Sequence, residues 1–337
     1  MQPDTFKEFF VNCFYCKIIV LKGEQMENKT YNFTKLQNLK YGENPHQEAS
    51  LYGFNNEIDW ELLSGGVLSY NNILDMTTSL EIASEFFDVA ATVIVKHANP
   101  CAVALANDLQ QAWAKAIDSD IIGIFNSVAA FTRGIDLTFA KQLAEMNLGI
   151  IVAPKFSAEA VEELKKVKNL KVVQINTPLK DVLKFVEEDI RLTPFGALIQ
   201  QKDVKDFDVN TFKVMTKTKP EQKMLEDMIF AFKVVKHAKS NAIVTAKDLR
   251  TIGISTGQTT RVGSVEIALA KICDSAKDAV IASDGAISTV DNIQIAAQNR
   301  ISAIIQPMGT PKDAEIIKAA DKFNISMVST GIRHFKH

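Results

Sequence analysis

The sequence predicts an α/β protein made of two similar lobes, and three observations predict it. From about residue 59 onward, β-rich apolar runs alternate with amphipathic segments, the pattern of strands separated by helices. A stretch occurs twice: residues 95–108 and 235–248 agree at seven of fourteen positions, including the openings Val95-Lys96-His97-Ala98 and Val235-Lys236-His237-Ala238. At 337 residues the chain is long enough for two ordinary domains or one large two-lobed unit. Matched halves predict a shared cleft, where binding sites tend to form.

Taken in order, residues 75–88 carry apolar side chains at helical spacing and lead into a strand at 91–95. Residues 107–117 read as a helix with Asn107 or Asp108 near its N-cap. A buried strand at 150–153 is ended by Pro154, and Ser157 caps a charged amphipathic helix over 158–168. Strands follow at 171–175 and 197–200. The polar stretch 202–220, ending in Pro220, reads as a linker. Beyond it come a helix from 221 to about 236 and strands at 242–246, 251–255, 279–282, 302–306 and 326–329. Helices at 264–275, 291–299 and 312–322 separate several of these. The expected divisions are an N-terminal extension at 1–34, a first lobe at 35–204 and a second at 205–337. Within the extension, 22–26 can be encoded by a purine-rich ribosome-binding run, so 1–25 are a candidate segment upstream of the true start.

Composition narrows the function classes. The net charge of −2 implies no broad basic surface for nucleic acid. The apolar stretch 9–21 is broken by Asn12 and Lys17 and is shorter than the roughly 20 residues a membrane helix needs. No cleavage-site pattern follows it, so no signal peptide is read. Cys13 and Cys16 form the one close cysteine pair, and without a second pair or a nearby His they read as reduced cysteines rather than a zinc site. The expectation is a cytoplasmic protein that binds no metal.

The chain has five histidines, each in a polar cluster. His46 lies in the turn-rich Lys40-Tyr41-Gly42-Glu43-Asn44-Pro45-His46-Gln47. Lys96-His97 joins a cation to a group that titrates near neutrality, a pair that can move a proton and stabilise developing negative charge. The other reading is a strand end whose Lys and His face water. The small residues from Gly253 to Thr260 could expose backbone N–H groups, with Arg261 holding a carboxylate or phosphate; a tight turn fits equally well. The end of the chain, Arg333-His334-Phe335-Lys336-His337, follows a strand directly, so it is either a frayed tail or a docked part of an anion site.

These segments, together with Leu68-Ser69-Tyr70-Asn71-Asn72, Lys96-His97-Ala98-Asn99-Pro100-Cys101, Lys239-Ser240-Asn241-Ala242-Ile243-Val244 and Ala303-Ile304-Ile305-Gln306-Pro307, resemble in order the transformylase domain of the bifunctional AICAR transformylase and IMP cyclohydrolase family. The resemblance runs from about residue 35 to the last residue. It implies two duplicated cytidine-deaminase-like lobes forming one transformylase unit, without the deaminase zinc, and a homodimer with active sites at the interface. It implies formyl transfer from 10-formyltetrahydrofolate, as co-substrate, to the 5-amino group of the purine precursor AICAR (5-aminoimidazole-4-carboxamide ribonucleotide). His97 would be the base for the attacking amine, Lys96 would assist proton transfer to the leaving folate nitrogen, and Asn241 would hold the oxyanion. Lys40, Tyr41, Arg333 and Phe335 match positions that grip the nucleotide, and Arg261 and Asp291 match positions on the folate side.

The cyclohydrolase domain of the bifunctional protein has no counterpart in the sequence, so a separate protein is expected to supply that activity. Several positions depart from the family pattern. Lys40 stands where Arg is expected, which keeps the charge and loses the bidentate fork. Asn126-Ser127 replace a Gly-Gly turn, and Gly149 replaces an acidic residue. The segment Asp284-Gly285-Ala286-Ile287-Ser288-Thr289 replaces an aromatic Asp-Ala-Phe-Phe-Pro-Phe run. The alternatives are an enzyme of this fold using another ribotide or formyl donor, and a non-catalytic nucleotide-binding paralog.

Overall fold

The computed structural model describes residues 28–53, 59–184, 186–205, 208–272 and 277–337. The Cys13/Cys16 pair, the apolar stretch 9–21, the proposed upstream segment and the last residues of the helix expected at 264–275 lie outside the described residues.

The first half opens with a two-stranded antiparallel ribbon, β1 (Thr34–Asn38) and β2 (Ser50–Gly53), then β3 (Trp60–Ser64) and α1 (Tyr70–Ser84). It continues through β4 (Ala90–Lys96), β5 (Asn99–Ala106), α2 (Leu109–Ser119), β6 (Val128–Phe131), α3 (Leu137–Ala144), β7 (Ile150–Ala153), α4 (Ala158–Leu164) and β8 (Lys171–Ile175). A second antiparallel ribbon, β9 (Glu188–Thr193) and β10 (Gly196–Gln201), leads to β11 (Lys213–Val214). The second half runs α5 (Gln222–Val235), β12 (Ile243–Lys247), β13 (Arg250–Ser255), α6 (Arg261–Ala270), β14 (Val280–Ser283), α7 (Val290–Gln298), β15 (Ala303–Gln306), α8 (Asp313–Lys322) and β16 (Ser326–Ser329).

Among the described residues, twelve strands form one mixed sheet in the order β11-β16-β15-β14-β12-β13-β5-β4-β6-β7-β8-β3. Outward from the central β13·β5 contact the two sides read alike. β4·β5 and β12·β13 are antiparallel hairpins, β6·β7 and β14·β15 run parallel, and an antiparallel strand closes each edge. The halves meet where Arg250 pairs with Ala104 and where Val103 N–H donates to Thr251 Oγ1 at 3.0 Å.

Alternate residues of β4 and β5 enter different cores. Val93, Val95 and Val103 pack in one that also holds Phe86 of the first half and Phe230 and Val234 of α5. Ile94, Ala102 and Ala104 face a second core with Trp113, Phe131 and Phe139, and the second half has its own core around Ile281, Ile293 and Ile304. Strands covered on both faces need apolar residues at nearly every position, which is why continuous apolar runs marked them.

The structure shifts several expectations. The first long helix begins at Tyr70 rather than 75, because Ser69 and Asn72 form a capping box: Ser69 Oγ accepts Asn72 N–H at 3.2 Å and Asn72 Oδ1 accepts Ser69 N–H at 3.1 Å. The stretch 253–261 is a strand end and a helix start, with Thr260 capping α6 and Arg261 its first residue. The expected linker 202–220 contains the edge strand β11 and is tied to the fold, since Lys202 pairs with Glu81 at 2.7 Å and Asp203 with His334 at 2.7 Å.

The doubled Val-Lys-His-Ala segment does not mark equivalent positions. Val95-Lys96 end β4 and His97-Ala98 form the turn into β5, whereas Val235-Lys236 end the helix α5. By strand pairing, Lys96 opposite Asn99 corresponds to Lys247 opposite Arg250. Strand register, not a four-residue identity, fixes the correspondence. No helix among the described residues is long and apolar enough to cross a membrane.

Candidate active site

Lys96 and His97 stand at the tip of the β4–β5 hairpin. His97 and Ala98 take φ of 55° and 54°, the left-handed conformations that a two-residue turn between twisted strands requires. Asp75 of α1 holds this turn: its Oδ1 accepts Ala98 N–H at 2.6 Å. Burial pushes the Asp75 carboxyl above its ordinary range, with the amides of Ala98 and His97 pulling the other way. His97 is exposed, and Lys96 Nζ donates to the Phe125 carbonyl at 2.8 Å while lying 5.9 Å from the ring centroid of that residue.

Asn241 lies in a loop that the hairpin touches. Asn99 Oδ1, two positions after His97, accepts Lys239 N–H, two positions before Asn241, at 3.2 Å. Asn241 Nδ2 donates to the Gln258 carbonyl at 3.0 Å, which leaves its second N–H free to donate elsewhere. The loop is fixed from below by the fully buried Asp284, whose carboxylate accepts Ser240 Oγ–H, Ala242 N–H at 3.1 Å and the Arg261 guanidinium.

The C-terminal segment is docked, not frayed. Ser240 N–H donates to the Lys336 carbonyl at 2.9 Å, and His334 N–H to the Asp284 carbonyl at 3.0 Å. Arg333 stacks on Phe335 with 4.4 Å from Cζ to the ring centroid. Phe335 in turn rests on Gly285, where a Cβ would overlap both its Cε1 and Nη2 of Arg261. Arg333, Phe335, Arg261 and Asn241 are thereby brought to one region. The Arg261 guanidinium is turned inward, with Nη1 also on the Ala242 carbonyl at 3.1 Å. Asp291 is exposed in the first turn of α7, beyond the 284–289 loop.

Lys40 and Tyr41 sit at the N-terminal end of α1. Tyr70 N–H donates to the Tyr41 carbonyl at 3.3 Å, and Asn71 Nδ2 to the Glu43 carbonyl at 3.0 Å. The helix that carries Tyr70 also carries Asp75, at an axial offset of about 8 Å for five residues. One helix therefore spaces the Lys40 loop from the His97 turn. Lys171, read only as a strand residue, lies close enough to Lys40 that its ammonium is pushed down, first by burial and then by that neighbouring charge. Two facing cations suit an anionic ligand such as phosphate.

At the C-terminal end of α1 lies a buried ionic group. Glu85 accepts Lys236 Nζ–H at 2.9 Å and pairs with His237 Nε2 at 3.0 Å; Glu81 pairs with Lys202 and with Lys336 at 3.0 Å. Burial pushes both carboxyls up, but the surrounding cations outweigh it and bring Glu81 and Glu85 to about 2. Burial pushes His237 down, so the second histidine of the doubled segment is a packed interior group, unlike His97. Burial also raises the Cys101 thiol to about 11. Among the described residues no cluster of His, Cys, Asp and Glu could hold a metal ion.

Two departures from the family pattern touch each other. Asn126 adopts φ 55°, and its Oδ1 would lie 2.9 Å from a Cβ on Gly149. Asn126 occupies the space a side chain at 149 would need, and it follows Phe125, whose carbonyl binds Lys96.

Sequence reasoning missed Asp75, Asn99, Lys171 and Asp284. Each lay within a quoted motif or element, but a polar residue there gives no sign of which backbone it will meet.

Comparison with known proteins shows the family. A model of the AICARFT/IMPCHase bienzyme family matches residues 9–271. The bifunctional purine biosynthesis protein PurH of Thermoanaerobacter sp. (strain X514) is 44% identical over 317 residues, 92% of this chain and 61% of that protein. The PurH of Caldicellulosiruptor bescii is 44% identical over 309 residues, covering 90% and 59% respectively. The PurH of Bacillus thuringiensis (strain Al Hakam) is 42% identical over 321 residues, covering 93% and 62%. The chain thus spans about three fifths of the length of these relatives. Among solved structures, the protein ybgI, of unknown function, matches with a TM-score of 0.15 and 10% identity over 61% of this chain and 72% of its own, too distant to bear on the fold. The sequence match over most of the chain places this protein in the AICARFT/IMPCHase bienzyme family.

Proposed function

We propose that this chain is an AICAR formyltransferase, which transfers the formyl group of 10-formyltetrahydrofolate to the 5-amino group of AICAR in purine biosynthesis. The observation that carries the reading is the hydrogen bond from Lys239 N–H to Asn99, which sets the His97 turn against the Asn241 loop. The amine nitrogen attacks the formyl carbon while His97 takes its proton, a step in which general base catalysis contributes about 10²–10⁴-fold. The carbonyl π electrons move to oxygen, and the free N–H of Asn241 meets the resulting oxyanion. Collapse of the tetrahedral intermediate breaks the bond to folate N10, which leaves with a proton delivered from Lys96. Lys40 and Lys171 receive the nucleotide phosphate near Tyr41, and Arg333 and Phe335 bound the nucleotide from the C-terminal side.

Arg261 and Asp291 stand on the folate side, with Arg261 shaping the Asn241 loop through Asp284. The 284–289 segment carries no aromatic ring, and Ile287 is buried with its N–H on Gln306 Oε1 at 2.6 Å. This favours, as a second reading, a paralog that binds the nucleotide without using folate.

The reading includes a homodimer. Its support is the exposure of Phe195 at 100% and Leu192 at 82% on the β9–β10 ribbon, and of Ile122 at 83% beside the loop that binds Lys96. A second copy covering these side chains would remove their apolar surface from water. It also includes the descent of both halves from one cytidine-deaminase-like unit, supported by the matching strand order about β5 and β13. The test is to incubate the purified protein with AICAR and 10-formyltetrahydrofolate and follow tetrahydrofolate release and formylated product. Release supports the transferase, and AICAR binding without release supports the paralog.

A further inference from the structure

The two halves share a device at the tip of their central hairpins. In the first half, Asp75 on α1 accepts the backbone of the His97-Ala98 turn at 2.6 Å. In the second half, Asp227 on α5 accepts Asp248 N–H at 3.0 Å and Leu249 N–H at 2.6 Å. Asp248 and Leu249 take φ of 55° and 56°, the same left-handed pair as His97 and Ala98. Each aspartate is the sixth residue of its helix, counting from Tyr70 and from Gln222. A helix carboxylate thus clamps a strained two-residue turn in both halves. Non-glycine residues at positive φ persist only where their surroundings hold them.

The turns differ in what they display. The second exposes Asp248, paired with Lys223 across the surface. The first exposes His97, next to Lys96 and tied through Asn99 to the Asn241 loop. We infer that Asp75 is a positioning residue for the active site: its carboxylate, through the turn amide of Ala98, sets the direction in which the His97 imidazole projects. Asp227 does the same structural work where no reacting group is carried. This rests on the formyltransferase reading for its kinetic consequence, but not for its geometry. A histidine on an unclamped turn samples other backbone states, and misplacement of a base by about 1 Å can cost on the order of 10²-fold in rate.

The matched aspartates provide an internal control. Asp75→Ala and Asp227→Ala are compared in melting temperature, in kcat and KM for AICAR, and in the His97 ring resonances by NMR, assigned with His97→Gln. Expected are similar losses in melting temperature, a kcat at least 10-fold lower for Asp75→Ala with KM within about 3-fold, and a kcat within about 2-fold for Asp227→Ala. Asp75→Asn, which keeps one acceptor, should recover most of the rate and serves if Asp75→Ala does not fold. Equal kcat losses at both sites, or an unchanged kcat in Asp75→Ala, would overturn the inference. If the wild type turns over no AICAR, the formyltransferase reading fails and the ring resonances decide. Displacement in the Asp75 variants alone supports the positioning role, and unchanged resonances there refute it.

Discussion

Asn99 Oδ1 accepts the backbone N–H of Lys239 at 3.2 Å, so the turn that displays His97 is latched to the loop that displays Asn241. The contact joins the two halves at the point where, on the proposed reading, a base and an oxyanion donor share one substrate. Asn99→Ala removes the acceptor and leaves β4 and β5 paired. A kcat about 10-fold lower, with little change in melting temperature, is expected from steady-state kinetics, because the lost bonds, from Lys239 N–H and to the His97 carbonyl at 3.0 Å, set a separation rather than a core contact.

Asn126 and Gly149 are coupled by space. Gly149→Asp alone forces a side chain into the volume that Asn126 Oδ1 fills, and should cost about 1–3 kcal/mol in chemical denaturation. Asn126→Gly with Gly149→Asp should recover part of that loss, since the first change removes Oδ1 and suits φ 55° but leaves the backbone of residue 126 at 3.2–3.3 Å from the new Cβ. Additive losses in the double-mutant cycle would refute the coupling.

Gly285 gives Phe335 its seat. Gly285→Ala should displace Phe335 and Arg261 together, raising KM for AICAR several-fold while kcat falls less. An unchanged KM would mean that the stacked Arg333–Phe335 pair does not contact the nucleotide.

Acid should weaken the protein through Glu81 and Glu85. Both titrate at about 2 when folded, against 4.5 for the unfolded reference. A depressed carboxylate stabilises fully above its unfolded value, and that stability is lost as pH falls from about 4.5 toward 2. The upper limit is about 3 kcal/mol for each group. Melting temperature should stay level above about pH 5.5 and drop below pH 4.5, and Glu81→Gln should make that drop shallower. A drop of unchanged steepness in Glu81→Gln would assign the acid sensitivity elsewhere.

Much of the fold was legible because its central strands are covered on both faces, so segments such as Ile150–Ala153 carry apolar residues throughout. The edge strand β11 was not, since two residues that pair only with β16 leave no period to read. The start of α1 was hidden because its capping box uses Asn72 where Glu or Gln is the usual signal. The doubled Val-Lys-His-Ala segment pointed to two similar halves but matched the wrong residues, placing a hairpin tip on a helix end. In the site, Lys96-His97 could be read as a cation beside a titratable group, while Asn241 entered only through the family resemblance. Asp75 was not legible, because an aspartate on an amphipathic helix looks the same whether it meets water or the backbone of a turn.

The rate of tetrahydrofolate release by wild type and by His97→Ala, with AICAR and 10-formyltetrahydrofolate both saturating, tests the central claim most directly. The account predicts turnover by the wild type and a loss of about 10²–10⁴-fold in His97→Ala, with melting temperature preserved because the imidazole is exposed. A wild-type rate no higher than that of His97→Ala would contradict it.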